Sequence, residues 1–167
     1  NLIPENAIIV DESVSTGREF FTFTEGSKRH TWLSNCGGSI GFALPAATGA
    51  SIACPDRKVI ALEGDGSGMY TLQSLWTIAR ENLNVTILIF ANQSYRILHG
   101  ELNNVGVQNP GPSAINMLTL NNPSLDWVSL SKGMGIDAKK VHDTNQLYSV
   151  FKDALNSQGP FLIEVMI

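Results

Sequence analysis

Cysteine is scarce: Cys36 and Cys54 are the only two in 167 residues, 18 positions apart, with no CxxC pair or histidine cluster beside them. That argues against a disulfide framework or a zinc site and for a reducing, cytoplasmic setting in which both are ordinary buried thiols. Basic runs and interleaved aromatic and basic residues are also missing, and the net charge is −4. Nothing here has the electrostatic footprint of a nucleic-acid binder. The longest apolar runs, such as "VTILIFA" at residues 85–91, stop far short of the roughly 20 residues that cross a bilayer, so no membrane partner is expected. Repeats and low-complexity stretches are absent too. What is present is a hydrophobic share of 43% on a chain long enough for one domain with a sizeable core. The opening "NLIPENAIIV" lacks an initiator Met, a basic leader and a signal-like segment. Residues 1–167 therefore read as a single domain cut from a longer polypeptide.

Four apolar or β-branched runs predict strands at residues 7–10, 58–62, 85–90 and 161–167. Helical patterns alternate with them. Residues 41–53, "GFALPAATGASIA", are rich in small side chains that suit close packing on a sheet, with Pro45 in the first turn. Leu72, Leu75, Trp76 and Ala79 recur as one apolar helix face, in a helix starting near Met69. Residues 123–135 form a third candidate, closed by Gly133 or Gly135. Residues 144–155 form a fourth, opened by Asp143 three positions before Gln146. Strands and helices alternating in this way predict an α/β fold, three layers α/β/α around a mainly parallel sheet. Residues 103–123 show neither period and predict a long loop, the kind of segment that is often functional or mobile.

In such a sheet ligands bind at the carboxyl ends of the strands. Asp11 to Ser15, Gly64 to Ser67 and Asn92 to Ser94 occupy that rim. Gly64 and Gly66 allow a tight turn and close backbone approach, and the following helix start offers amides to an anion. A phosphate fits that loop, but Asp65 would repel it unless a divalent cation lies between. Mg²⁺ takes near-octahedral oxygen ligands, and Asp65, the Asn92 side-chain oxygen, a backbone carbonyl near Ser94, two phosphate oxygens and one water make such a set. A P-loop would need a lysine after the glycines, and the dinucleotide fingerprint would need glycine where Met69 stands and an acid where Asn92 stands. Both motifs are rejected. Taken alone, "GDGSG" is equally compatible with a simple strand-to-helix turn.

"GDG", 25 residues, then Asn92 resembles the thiamine diphosphate-binding motif. "GGSIGFALPAATGA" at 37–50, "PDRKVIALEGDGS" at 55–67 and "GPFLIEV" at 159–165 are similar to the C-terminal domain of acetolactate synthases and benzoylformate decarboxylases. The resemblance spans nearly the whole chain. It implies that Asp65, Asn92 and the Ser94 carbonyl hold Mg²⁺, that Gly64, Gly66 and Ser67 lie near the diphosphate, and that Ser15 hydrogen-bonds it. It further implies that Ile40 props thiamine in a bent shape while the Gly38 carbonyl accepts the 4'-amino group, with Ser39 between them and Tyr95 on the cofactor side. Val14 stands where some decarboxylases carry a hydroxyl, so it could contribute only through its backbone.

The resemblance also implies a 2-oxo acid substrate and thiamine diphosphate with Mg²⁺ as cofactors. Whether the parent enzyme also binds FAD is left open. It implies a homodimer or homotetramer in which the N-terminal pyrimidine-binding domain of a partner subunit supplies the activating glutamate. No catalytic residue is expected in this chain, and the isolated chain is expected to be inert; 2-oxo acid turnover by it would contradict that. Ile97, Leu98 and Glu101 are candidate substrate-side residues. Glu101 departs from the aromatic residues of the family, and either it meets a polar substrate or it is solvated or paired with Arg96. His30, His99 and His142 share no ligand spacing and read as structural or exposed. Trp32, Trp76 and Trp127 read as packing residues. Two alternatives stay open: a non-catalytic module that kept the fold, and a different nucleotide-binding enzyme.

Overall fold

The apolar run at residues 85–91 has no polar alternation, and in the computed structural model, which describes residues 2–167, it is a strand buried along its whole length, β4 (Val85–Ala91). Beside it β3 (Val59–Gly64) is buried at five of six positions. Strands covered on both faces are served by helical crossovers, and these return the chain in one direction. With β1 (Ile8–Glu12), β2 (Thr31–Ser34), β5 (Asp137–Val141) and β6 (Phe161–Met166) they form a six-stranded sheet, order β2-β1-β3-β4-β6-β5. Every pairing is parallel.

Side-chain alternation divides the core between the two faces. On one, Ile8, Val10, Ala61, Ile87 and Ile89 pack with Leu44 and Ala47 of α2 (Ala43–Ala53), Leu75 and Ile78 of α4 (Ser74–Arg80) and Trp127 of α7 (Trp127–Gly133). On the other, Ile9, Ile60, Leu62, Leu88 and Phe90 meet Phe20 of α1 (Phe20–Phe23) and Leu147, Val150 and Phe151 of α8 (Thr144–Asn156). The expected three-layer α/β/α architecture is the one observed. The Asp143 carboxylate starts α8 by accepting from the Asn145 and Gln146 amides, both at 2.9 Å. Asp126 starts α7 in the same way, accepting from the Ser129 amide at 3.0 Å, three residues into the stretch that the sequence predicts as helix.

The structure departs from the sequence reading at several elements. β2 and β5 are missing from that reading because both are edge strands: β2 is largely exposed, and β5 buries only Ala138 and Val141. No apolar run marks either one. The helix expected near Met69 is two pieces, a single turn α3 (Asp65–Gly68) and then α4, so Met69 closes a helix instead of opening one. Trp76 is 53% exposed, with Arg80 stacked over its ring, while Ile78 fills the core position of that helix. Residues 103–123 contain a short helix, α6 (Pro112–Met117), with proline in its first turn. Of the two thiols, Cys36 is exposed and Cys54 half-buried, so neither is fully enclosed.

Lys58, just before β3 and at the opposite end from the carboxyl-end rim, is buried and forms no ion pair among the described residues. Its Nζ donates to Asn84 Oδ1 at 2.7 Å and to the Ala154 carbonyl at 3.1 Å. Burial lowers its pKa from 10.5 to about 8. Between those values the unfolded chain keeps a proton that the folded chain has shed, so stability rises with pH across the window. Lys58→Met should abolish that rise. The urea midpoint of the wild type, measured against the variant, should climb between pH 8 and pH 10.5 by the equivalent of about 1–3 kcal/mol. Parallel profiles for the two proteins would contradict this.

Candidate functional site

All six strands point their carboxyl ends at one rim, and the strand order reverses at β1, which has β2 on one side and β3 on the other. Loops leaving such a switch point diverge and open a crevice. Here the crevice is a cavity of about 250 Å³. Of the residues expected from the sequence, Ser15, Gly38, Ile40, Gly64, Asp65, Gly66, Ser67, Asn92, Ser94, Tyr95 and Ile97 all line it. They come from the loops after β1, β2, β3 and β4.

Three expected residues do not line it. Ser39 turns its backbone to the Asn35 side chain, donating to Oδ1 at 3.1 Å and accepting from Nδ2 at 3.0 Å. Leu98 and Glu101 lie further along α5 (Arg96–Asn104), outside the cavity wall. Glu101 is exposed and accepts from Asn104 Nδ2 at 3.3 Å, not from Arg96. Arg96 itself reaches the cavity.

Asp65 opens α3 and is 2% exposed. Its Oδ1 accepts from the Gly66 amide at 3.0 Å and its Oδ2 from the Gln93 amide at 2.7 Å. Among the described residues no lysine, arginine or histidine forms an ion pair with it. Burial raises its pKa from 3.8 to about 6, although the Gln93 and Gly66 amides pull the other way. Buried carboxylates are normally paired with a cation or coordinated to a metal, and this one has only amides. The Asn92 side-chain oxygen stands nearby in the same wall, accepting from the Ser94 amide at 2.9 Å. Carboxylate, amide and carbonyl oxygens are the hard donor set that Mg²⁺ takes.

The loop around Asn92 is held from behind. Tyr95 donates its amide to the Leu118 carbonyl at 2.9 Å, Leu120 donates to the Gln93 carbonyl at 2.7 Å, and Ser94 Oγ donates to Leu118 at 3.0 Å. Val14 lines the cavity with a backbone φ of +47°, so it is the main chain of that loop that is specialised there. The sequence reading missed two buried acids. Glu12 ends β1, and Glu63 is its register partner on β3. Burial first, and the Glu12 carboxylate second, push Glu63 well above the ordinary 4.5. Its Oε1 accepts from Ser67 Oγ at 2.6 Å and from the Gly64 amide at 3.1 Å. Only "DES" and "LEG" at strand ends could have marked these acids.

Fold and site together define a class, a three-layer α/β domain with a small-molecule-sized cavity at a topological switch point. The family described as "Thiamine pyrophosphate enzyme, C-terminal TPP binding domain" matches residues 13–165. The chain belongs to that family. It is 44% identical, over 167 residues, to IlvX of Mycobacterium tuberculosis, a protein with a provisional assignment as an acetolactate synthase large subunit. That match covers 99% of this chain and 32% of the relative. Benzoylformate decarboxylase of Pseudomonas aeruginosa is 34% identical over 165 residues, 98% of this chain and 30% of that protein. Among solved structures, the thiamine diphosphate-dependent 4-hydroxybenzoylformate decarboxylase of Rhodococcus jostii RHA1 superposes with a TM-score of 0.84 at 34% identity. It covers 98% of this chain and 30% of that one. The chain thus spans about a third of the length of these relatives.

Gly66 shows how tightly the wall is built. A Cβ there would lie 2.6 Å from Tyr95 Cε1. Gly66→Ala should therefore displace the Tyr95 ring and lower the unfolding free energy by about 1–3 kcal/mol, read from urea melts. Adding Tyr95→Ala should recover part of the loss relative to Tyr95→Ala alone. Strict additivity of the two substitutions would show that the ring is not what forbids a side chain at 66.

Proposed function

We propose that this chain binds the diphosphate and Mg²⁺ of thiamine diphosphate as the C-terminal domain of a 2-oxo acid decarboxylase or carboligase, acetolactate synthase-like in type. The observation that carries the reading is the buried Asp65 carboxylate, which forms no ion pair among the described residues, in a wall that also holds Asn92 and Ser94. Asp65, Asn92 and the Ser94 carbonyl would hold the metal. Ser15, Gly66 and Ser67 would face the diphosphate. Ile40 would support the thiamine, and Gly38 would accept from its amino group. When bound, thiamine diphosphate supplies a nucleophilic carbon and the electron sink for loss of CO₂ from a 2-oxo acid. This chain's own contribution is to bind, orient and shield.

The rest of the assembly follows from the same reading: a homodimer or homotetramer in the cytoplasm, with the pyrimidine-binding domain of a partner subunit completing the site. A second reading, a benzoylformate decarboxylase-like lyase, is favoured by the likeness to the Rhodococcus jostii structure. Turnover of benzoylformate against pyruvate by the assembled enzyme separates the two.

The cofactor reading is tested by calorimetric titration of thiamine diphosphate into the chain with Mg²⁺, with EDTA, and into Asp65→Ala. Binding is expected only with the metal, and weaker in the variant by more than about tenfold, 1.4 kcal/mol. Affinity indifferent to both EDTA and the substitution would overturn it.

A further inference from the structure

The wall that carries Gly38 and Ile40 has no regular structure between the end of β2 and the start of α2. Three of its residues, Gly37, Gly38 and Gly41, hold positive φ angles of +68°, +67° and +82°. A glycine-rich stretch of this kind has a large conformational entropy, and left to itself it would not hold one shape. Ile40 is 47% exposed and lines the cavity, so core packing does not fix it.

What fixes the stretch is a set of side chains from three other places. The Asn35 amide pairs with the Ser39 backbone much as a neighbouring strand would, giving one bond at 3.0 Å and taking one at 3.1 Å. Glu12, 2% exposed, accepts from the Gly41 amide through Oε1 at 2.7 Å and from the Ala43 amide through Oε2 at 2.8 Å. Asn35 Nδ2 lies 3.4 Å from the same Oε1, which links the two holders. Thr71 Oγ1 donates to the Gly41 carbonyl at 2.9 Å. The bonds fall on Ser39, Gly41 and Ala43. Among the described residues none falls on Gly38 or Ile40, the two that line the cavity.

We infer that Glu12 and Asn35 are positioning residues: they clamp alternate residues of the 38–43 segment so that Gly38 and Ile40 meet the thiamine part of the cofactor already ordered. The inference rests on the cofactor reading given above. Ordering a loop before binding removes a cost that binding would otherwise carry. The clamp acts on the Gly38 to Ile40 wall, while Gly64 to Ser67 build the diphosphate side; Glu12 also borders Glu63, which holds Ser67 and Gly64, so Asn35 is the holder confined to the first wall. Loss of the clamp should therefore discriminate between ligands.

The test compares Glu12→Gln, which turns one acceptor into a donor facing a backbone amide, and Asn35→Asp, which turns a donor into an acceptor facing the Ser39 carbonyl. Each is made in the full-length enzyme, where the partner domain completes the site, and titrated by calorimetry, in the presence of Mg²⁺, with thiamine diphosphate and with inorganic pyrophosphate. Both variants should lose about tenfold or more in affinity for thiamine diphosphate, and Asn35→Asp should change less than about twofold for pyrophosphate. Amide hydrogen exchange at Gly41 and Ala43 should also quicken in ligand-free Glu12→Gln, which separates positioning from direct contact with the cofactor. Equal losses for both ligands in Asn35→Asp, no loss for either ligand in both variants, or unchanged exchange would overturn the clamp. A full-length wild-type enzyme that binds neither ligand would overturn the cofactor reading, and this inference with it.

Discussion

Burial of β3 and β4 on both faces is the constraint from which the rest of the molecule follows. A strand with helices on either side has no polar face, so its chemistry is displaced to its ends. Because the strands are parallel, those ends share one rim, and the polar groups of the site are there: Glu12 on β1, Glu63 on β3, Asp65 just past it at the start of α3, Asn92 just past β4. The cavity lies where the strand order reverses. The core and the site are thus one design, the first forcing the second to the edge.

That rim is electrostatically unfavourable as it stands. Glu12, Glu63 and Asp65 are all buried, and among the described residues none of them forms an ion pair with a basic side chain. The contrast with Glu164 is instructive. It is equally buried, but it pairs with Lys140 at 3.1 Å and accepts from the Val128 amide, tying β6 to β5 and α7. Where an acid serves only the fold, this protein supplies a cation. At the rim it supplies amides and the Ser67 hydroxyl instead, and burial raises the pKa of all three acids, that of Glu63 well above the usual carboxylate range. A chain selected for stability alone would have no reason to keep this arrangement, and uncompensated polar groups of this kind are a common mark of function.

How much of this could be read from sequence depends on the range of each interaction. The central strands announce themselves as apolar runs, and α8 is visible because Asp143 and Gln146 are three residues apart. Asp65 and Asn92 are found through a motif with a fixed internal spacing. β2 and β5 are edges and carry no such signal. Trp76 obeys the helical period yet points to solvent, because the helix starts later than its pattern and Ile78 takes the core. The holders of the Gly38 to Ile40 wall are invisible for another reason. Glu12 reaches backbone amides 29 and 31 positions away, and a backbone amide leaves no trace in a sequence.

The loop after β4 shows how a site can be specified by backbone alone. Gln93 sits at a φ of +55°, a region that a side chain makes costly. Nothing local favours it. Its amide is taken by Asp65 Oδ2 at 2.7 Å, and its carbonyl accepts from Leu120 at 2.7 Å. The conformation is therefore imposed from both sides, by the acid on one strand end and by a segment 27 residues downstream. The same two supports flank Asn92 and Ser94, the neighbours of Gln93. Asp65 consequently does two jobs: it offers oxygen to the cavity, and it bends the adjacent loop so that the other oxygens can join it. The spacing that sets Asn92 opposite Asp65 also sets the next backbone amide, that of Gln93, within hydrogen-bond reach of the acid, and so ties the two strand ends together.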